Sequence, residues 1–196
     1  MKRLVGRFLL WLGGWRASGD PPPVDKYVLI AAPHTTNWDG YWMIALMFYY
    51  DLPIHWLGKH TLFEGPLGWL FRWTGGVPVD RRSSNDVVSQ LTARFSEYDR
   101  IAITLAPEGS RSRREHWKSG FYHLAKQAKV PIALGFLDYN RCEGGFGGLL
   151  WPSDDVKADM DVIRAFYAQK SGRNPENAGP IRLRSEAPEP SDPSNA

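Results

Sequence analysis

Apolar positions fall in short unbroken runs separated by longer amphipathic stretches. The runs at 27–32 (YVLIAA), 54–58 (IHWLG), 77–79 (VPV), 101–106 (IAITLA) and 131–137 (PIALGFL) are bounded by turn residues. That pattern predicts strands buried on both faces. Between them the spacing predicts helices. Residues 38–50 (WDGYWMIALMFYY) are apolar nearly all round, as in a helix that is buried or touches lipid. A helix over 66–73 opens on Pro66 and stops at Gly75-Gly76. Further helices are predicted from Ser83 or Ser84 to Tyr98, from Ser119 to Lys129, and from Ser153 or Asp154 to Lys170. Residues 140–148 (NRCEGGFGG) read as a glycine-rich turn or a hairpin. Strands alternating with helices predict a single α/β domain, its mostly parallel sheet flanked by helices. Ligands of such sheets bind beyond the carboxyl ends of the strands.

The two ends of the chain depart from this alternation. In residues 1–20, Leu4, Phe8, Trp11 and Trp15 fall on one helical stripe, with Lys2, Arg3 and Arg7 mostly opposite and no acidic residue before Asp20. Two readings fit: a helix lying on anionic lipid, or an amphipathic helix packed on the core. DPPPV (20–24) is a stiff connector. Beyond Ser171 the composition shifts to Pro, Ser, Asn, Glu and Arg without periodicity. The expected organisation is therefore an N-terminal docking helix over 1–20, an α/β core domain over 21–171 and a mobile tail over 172–196.

Composition narrows the class. A formal charge of +3 and a pI near 9.0 are too mild for a nucleic-acid coat but suit an anionic substrate or surface. One cysteine, Cys142, excludes an internal disulfide and a cysteine zinc cluster. Nine tryptophans in 196 residues suit a membrane interface or a tryptophan-rich core. No apolar window reaches the roughly 18 residues of a spanning helix. Arg7 interrupts the N-terminal apolar run and no clear cleavage site follows, so the segment reads as retained.

The candidate chemistry begins in APHTTNWDG (32–40), where His34 precedes Asp39 by five residues. On one continuous helix that gap turns about 500° and leaves the side chains about 140° apart. They meet only if His34 lies in the loop and Asp39 in the first helical turn, with Thr36 or Asn37 as cap. Asp39 would then fix the ring's tautomer and leave the other nitrogen as a base. Amides at the helix start would face a developing oxyanion. The plain alternative is a histidine ending a strand and an aspartate favouring a helix N-terminus.

Three further blocks follow in order: GGVPVDR (75–81), ending in Arg81; PEGSRS (107–112), with Glu108, Gly109, Ser110 and Arg111; and VPI (130–132). Together with His34 and Asp39, the series resembles the glycerolipid acyltransferase family, whose best-known members are the 1-acylglycerol-3-phosphate acyltransferases. The resemblance covers residues 27–138 and implies a glycerol-3-phosphate acyltransferase-like fold. It also implies His34 as catalytic base, Asp39 as its orienting partner, and Arg81 and Arg111 as binders of the acceptor's phosphate. Glu108, Gly109 and Ser110 would line the acceptor pocket, with Ser110 where the family usually has threonine. Lys59 matches a basic position between the first two blocks. Pro78 and Ala106 stand where phenylalanines are frequent, so acceptor identity departs from the pattern more than the chemistry does.

The resemblance implies acyl transfer from an acyl thioester, acyl-CoA or acyl-ACP, to the hydroxyl of a lysophospholipid. It implies no resident cofactor, no metal and no nucleic acid, and a peripheral cytoplasmic place on the inner face of the cell membrane. A thioesterase or lysolipase on the same site, transfer to a non-glycerol hydroxylated lipid, and a non-enzymatic lipid-binding module are the rival expectations. His55, His60, His116 and His123 lack metal-ligand spacing. Neither a Gly-x-Ser-x-Gly elbow nor a phosphate loop occurs.

Overall fold

The computed structural model describes residues 1–79 and 84–186, with the backbone only at residues 79 and 84–87. Seven strands form one sheet: β1 (Arg16–Ser18), β2 (Lys26–Ala32), β3 (Ile54–Lys59), β4 (Gly76–Val79), β5 (Ile101–Leu105), β6 (Ile132–Asp138) and β7 (Glu143–Leu150). Their order is β1-β7-β6-β2-β5-β3-β4, and every pairing is parallel except β6–β7. Six helices accompany them: α1 (Lys2–Leu12), α2 (Trp38–Tyr50), α3 (Gly68–Trp73), α4 (Ser84–Glu97), α5 (Gly120–Ala128) and α6 (Val156–Tyr167).

The central strand β2 shows why the sheet is covered on both sides. Val28, Ile30 and Ala32 point into one core with Leu91 and Phe95 of α4, Phe121 and Leu124 of α5, and Met160 and Ile163 of α6. Tyr27 and Leu29 point the other way, onto Met47 and Phe48 of α2. The period-2 alternation thus carries apolar residues at both phases. Helix α1 forms an outer layer on α2, with Leu10 packed near Trp42, Ala45 and Leu46. A Cβ on Gly6 would meet backbone atoms of Ala45, Phe48 and Tyr49, so glycine is what allows the two helices to approach so closely.

Four local expectations are corrected. Trp15 is not on the α1 stripe: the helix ends at Leu12, Gly14 takes φ +69°, and Trp15 turns inward to 7 % exposure. Residues 16–18, placed by sequence in the docking segment, form edge strand β1. The glycine-rich segment is not a turn but strand β7, which makes the expected alternative, a hairpin, with β6; a Cβ on Gly147 would strike the Phe166 ring and one on Gly145 the Ser18 carbonyl. The last helix starts on Asp155, whose Oδ1 accepts the Ala158 amide at 3.0 Å, and not on Ser153 or Asp154.

The stretch expected to be a mobile tail also differs. Residues 172–186 lie on the core: Leu183 is 1 % exposed and bridges to Trp117. The Trp117 amide donates to the Arg182 carbonyl at 2.8 Å, and Arg164 pairs with Glu186 at 2.7 Å. Residues 187–196 lie outside the described residues.

Candidate active site

Strands β2, β5, β3 and β4 are neighbours and all parallel, so their carboxyl ends share one edge of the sheet. His34 leaves β2 after a cis Ala32–Pro33 peptide. Glu108 follows β5, and Lys59 ends β3. The topology itself collects residues that are 74 positions apart in the chain: the His34 amide donates to Glu108 Oε1 at 2.9 Å.

His34 stays in the loop and Asp39 falls in the first turn of α2, the arrangement their spacing requires. His34 Nδ1 lies 3.2 Å from Asp39 Oδ2. The same oxygen accepts the amides of Thr35 at 2.8 Å and Thr36 at 2.9 Å, and Oδ1 accepts the Tyr139 hydroxyl at 2.7 Å. Burial opposes ionisation of Asp39, but the bonds from His34, Tyr139 and Thr36 outweigh it and hold the carboxyl below its ordinary range. With Nδ1 directed at the carboxylate, Nε2 is the nitrogen left for chemistry, and the His34 side chain is 28 % exposed. Neither expected cap acts strongly. Asn37 occupies the N-cap position without a side-chain cap bond, and Thr36 Oγ1 is 3.5 Å from the Trp38 amide. The amides of residues 35 and 36 are committed to Asp39.

Glu108 is 7 % exposed, and its Oε2 has no hydrogen-bond partner among the described residues. Burial pushes its carboxyl above the ordinary range, against the bonds from its own backbone and from the His34 amide. Its Oε1 holds the His34 backbone amide. Gly109 adopts φ +63°, and a Cβ there would press on the Lys118 side chain. Ser110 Oγ accepts the Ser112 amide at 3.1 Å, which occupies it as a loop brace. Arg111 reaches across to donate to Asn37 Oδ1 at the start of α2. That puts an exposed guanidinium on the rim of the histidine site, with no acidic partner among the described residues.

Lys59 is exposed at the end of β3, in register with Val79, and makes no contact with the dyad. Arg81 lies outside the described residues. Among those described, no three His, Cys, Asp or Glu side chains group as metal ligands. A cavity of about 210 Å³ lined by His55, Leu57, Pro78, Leu91 and Tyr98 lies beside α4 and does not include His34. Sequence reasoning missed Tyr139, which has no local pattern to mark it. It missed Asn174 as well: its amide donates to Thr35 Oγ1 and its side chain to the Thr35 carbonyl, both at 3.2 Å.

The chain is similar to known proteins in sequence and in fold. The profile of the family described as Acyltransferase matches residues 17–133. A 1-acyl-sn-glycerol-3-phosphate acyltransferase of Streptococcus pneumoniae is 26% identical over 153 residues, covering 72% of this chain and 57% of that protein. The 1-acyl-sn-glycerol-3-phosphate acyltransferase alpha of Homo sapiens is 30% identical over 117 residues, covering 57% of this chain and 40% of that one. The chain thus spans about half the length of these relatives, or less. The solved structure of the 1-acyl-sn-glycerophosphate (LPA) acyltransferase PlsC from Thermotoga maritima superposes with a TM-score of 0.56 at 17% identity, over 85% of this chain and 77% of that one. It shares the mostly parallel sheet flanked by helices.

Proposed function

The chain belongs to the acyltransferase family, and on that premise we propose that it moves a fatty acyl chain from an acyl thioester to the hydroxyl of a lysophospholipid such as 1-acylglycerol-3-phosphate. The observation that carries this reading is the His34 Nδ1–Asp39 contact at 3.2 Å, which leaves Nε2 for the acceptor, while Arg111 is bonded to Asn37, three residues along from the histidine. Nε2 takes the acceptor's hydroxyl proton as its oxygen attacks the thioester carbonyl. Asp39 stabilises the imidazolium. The tetrahedral intermediate collapses with loss of thiolate, which recovers the proton from His34. The acceptor attacks directly, so no acyl-enzyme is required. Arg111, with Arg81 and Lys59, holds the acceptor's phosphate, a task suited to the planar guanidinium fork.

Access to a membrane-held acceptor would come through α1. Leu4, Phe8, Trp11 and Leu12 of this helix are exposed, while Gly6 and Leu10 face the core. Basic residues flank this stripe and no acid occurs before Asp20. No described helix is long and apolar enough to cross a membrane, so docking at the surface is the mode this helix offers.

The test is thiol release from acyl-CoA, and separately from acyl-ACP, with and without lysophosphatidate, for wild type and His34→Ala. The expected result is release that needs acceptor and His34, with the acylated lipid identified by mass spectrometry. The variant should lose a factor of about 10²–10⁴. Acceptor-independent release would identify a thioesterase. His34→Ala turnover near the wild-type rate would refute the mechanism.

A further inference from the structure

The carboxylate of Asp39 is held at both ends, and the second hold comes from far away in sequence. Oδ2 gathers the Thr35 and Thr36 amides and His34. Left alone, that set would still let the carboxylate swing about its own axis, because Oδ1 would be free. Tyr139 removes that freedom by donating its hydroxyl to Oδ1 at 2.7 Å across 100 residues. A neutral donor to a buried anion is a charge-assisted bond, and such bonds are short and directional. Tyr139 lies just past β6 and outside the residues matched by the family profile.

Tyr139 is itself braced. Its amide donates to the Ser171 carbonyl at 2.9 Å. Its ring meets the edge of Trp15 at 4.9 Å and 86°, and Trp15 stacks on Trp42 at 4.6 Å and 20°. Trp42 is on α2, one turn beyond Asp39. The Gly13-Gly14 turn delivers Trp15, and a Cβ on Gly13 would strike the Trp42 ring. The aromatic chain therefore runs from the end of α1 to the far side of the aspartate.

We propose that Tyr139 is a positioning residue: it locks the Asp39 carboxylate in the plane that aims His34, and Trp15 holds it there, so the segment following α1 sets the geometry of the dyad. This rests on the reading of His34 as the base. Tyr139 acts through Asp39, so its loss should lower turnover without weakening binding.

The experiment compares wild type, Tyr139→Phe, Trp15→Leu, Asp39→Asn and the Tyr139→Phe/Asp39→Asn double variant. Steady-state transfer is measured on vesicle-borne acceptor, unfolding by calorimetry, and the His34 ring by ¹⁵N-edited NMR, assigned with His34→Ala. Tyr139→Phe keeps the ring against Trp15 and removes only the hydroxyl. The expected result is a kcat lower by about tenfold, KM for both substrates within about twofold, and a Tm nearly unchanged. The His34 ring should pass from one tautomer to a mixture, and Tyr139→Phe should add nothing to this signal in Asp39→Asn. Trp15→Leu should lower kcat by about threefold with KM unchanged. Wild-type kcat in Tyr139→Phe, a loss confined to KM, or an unaltered His34 signal would overturn the role of Tyr139. An unaltered kcat in Trp15→Leu would overturn that of Trp15. Absence of acceptor-dependent transfer in the wild type would instead refute the assigned activity, and the NMR comparison would still decide whether Tyr139 orients the ring.

Discussion

Replacing Phe8 and Trp11 with serine should detach the protein from vesicles without unfolding it. Their rings sit 6.0 Å apart on the outer face of α1, 56 % and 73 % exposed. Full burial of a large apolar side chain is worth about 1.5–3 kcal/mol. Only the exposed part can be transferred to lipid, which leaves about 1–2 kcal/mol for each. The double variant should therefore lose about 2–4 kcal/mol of transfer free energy, a drop of about 30-fold or more in partition coefficient. The assay is sedimentation with sucrose-loaded vesicles, anionic and zwitterionic, at two salt concentrations. Because both side chains already face outward, Tm should move by no more than about 3 °C. Gly6→Leu makes the opposite control: its side chain would collide with the α2 backbone, so Tm falls and α1 is displaced as a unit. A partition loss below about threefold in the double variant would refute docking through this stripe. So would a large fall in Tm, since it would mean that the rings support the fold.

Asp39→Asn should damage both catalysis and stability. All four partners of the carboxylate are donors, and an amide offers them one acceptor and a competing donor, so kcat should fall about 10²–10⁴-fold and Tm by about 5 °C or more in thermal unfolding. Arg111→Ala should raise the acceptor's KM about tenfold or more with little change in the thioester's KM; a change confined to the thioester would place the acceptor elsewhere. Glu108→Gln should alter the pH dependence of stability. The folded carboxyl titrates above its unfolded value of about 4.3, so its stabilising contribution is complete below that value and lost as pH rises through the folded pKa. Denaturant titrations should show Glu108→Gln gaining on wild type as pH rises above about 4.3, and a pH-independent difference would refute that account.

Much of the site was legible because it depends on local geometry and on topology. The His34–Asp39 spacing demanded a loop and a first helical turn, and the structure supplies them. The short apolar runs announced parallel strands, and parallel neighbours gather Pro33-His34 and Pro107-Glu108 at one edge. What escaped was decided by contacts between distant segments. Strand β7 has too few side chains for any hydrophobic period, and its glycines answer to Phe166 and Ser18, which no window around residue 145 contains. Residues 172–186 look solvated by composition, yet they bury Leu183 and tie Asn174 to Thr35 in the loop that carries His34. Trp15 continued a helical stripe on paper; a two-glycine turn takes it out of the helix and under the sheet edge.

The dyad and the arginine beside it are built on different principles, and the contrast bears on how this protein could change its substrate. Asp39 is buried and fixed by donors from the loop before α2 and from the end of β6. Altering any of these disturbs the proton-transfer geometry itself. Arg111 is exposed and anchored to a neutral amide, Asn37, with no acidic partner among the described residues, and the proposed function gives its charge to the acceptor. Ser110 is turned into its own loop, and Lys59 stands apart at the end of the neighbouring strand. On the proposed function, acceptor recognition would rest on side chains whose replacement costs the fold little. The departures at Pro78 and Ala106 fall on the same side of this divide, near the strand ends where the resemblance expects the acceptor to bind. Variation in acceptor among proteins with this arrangement should therefore track the loops after β3, β4 and β5, while the support around Asp39 stays fixed by the needs of the base.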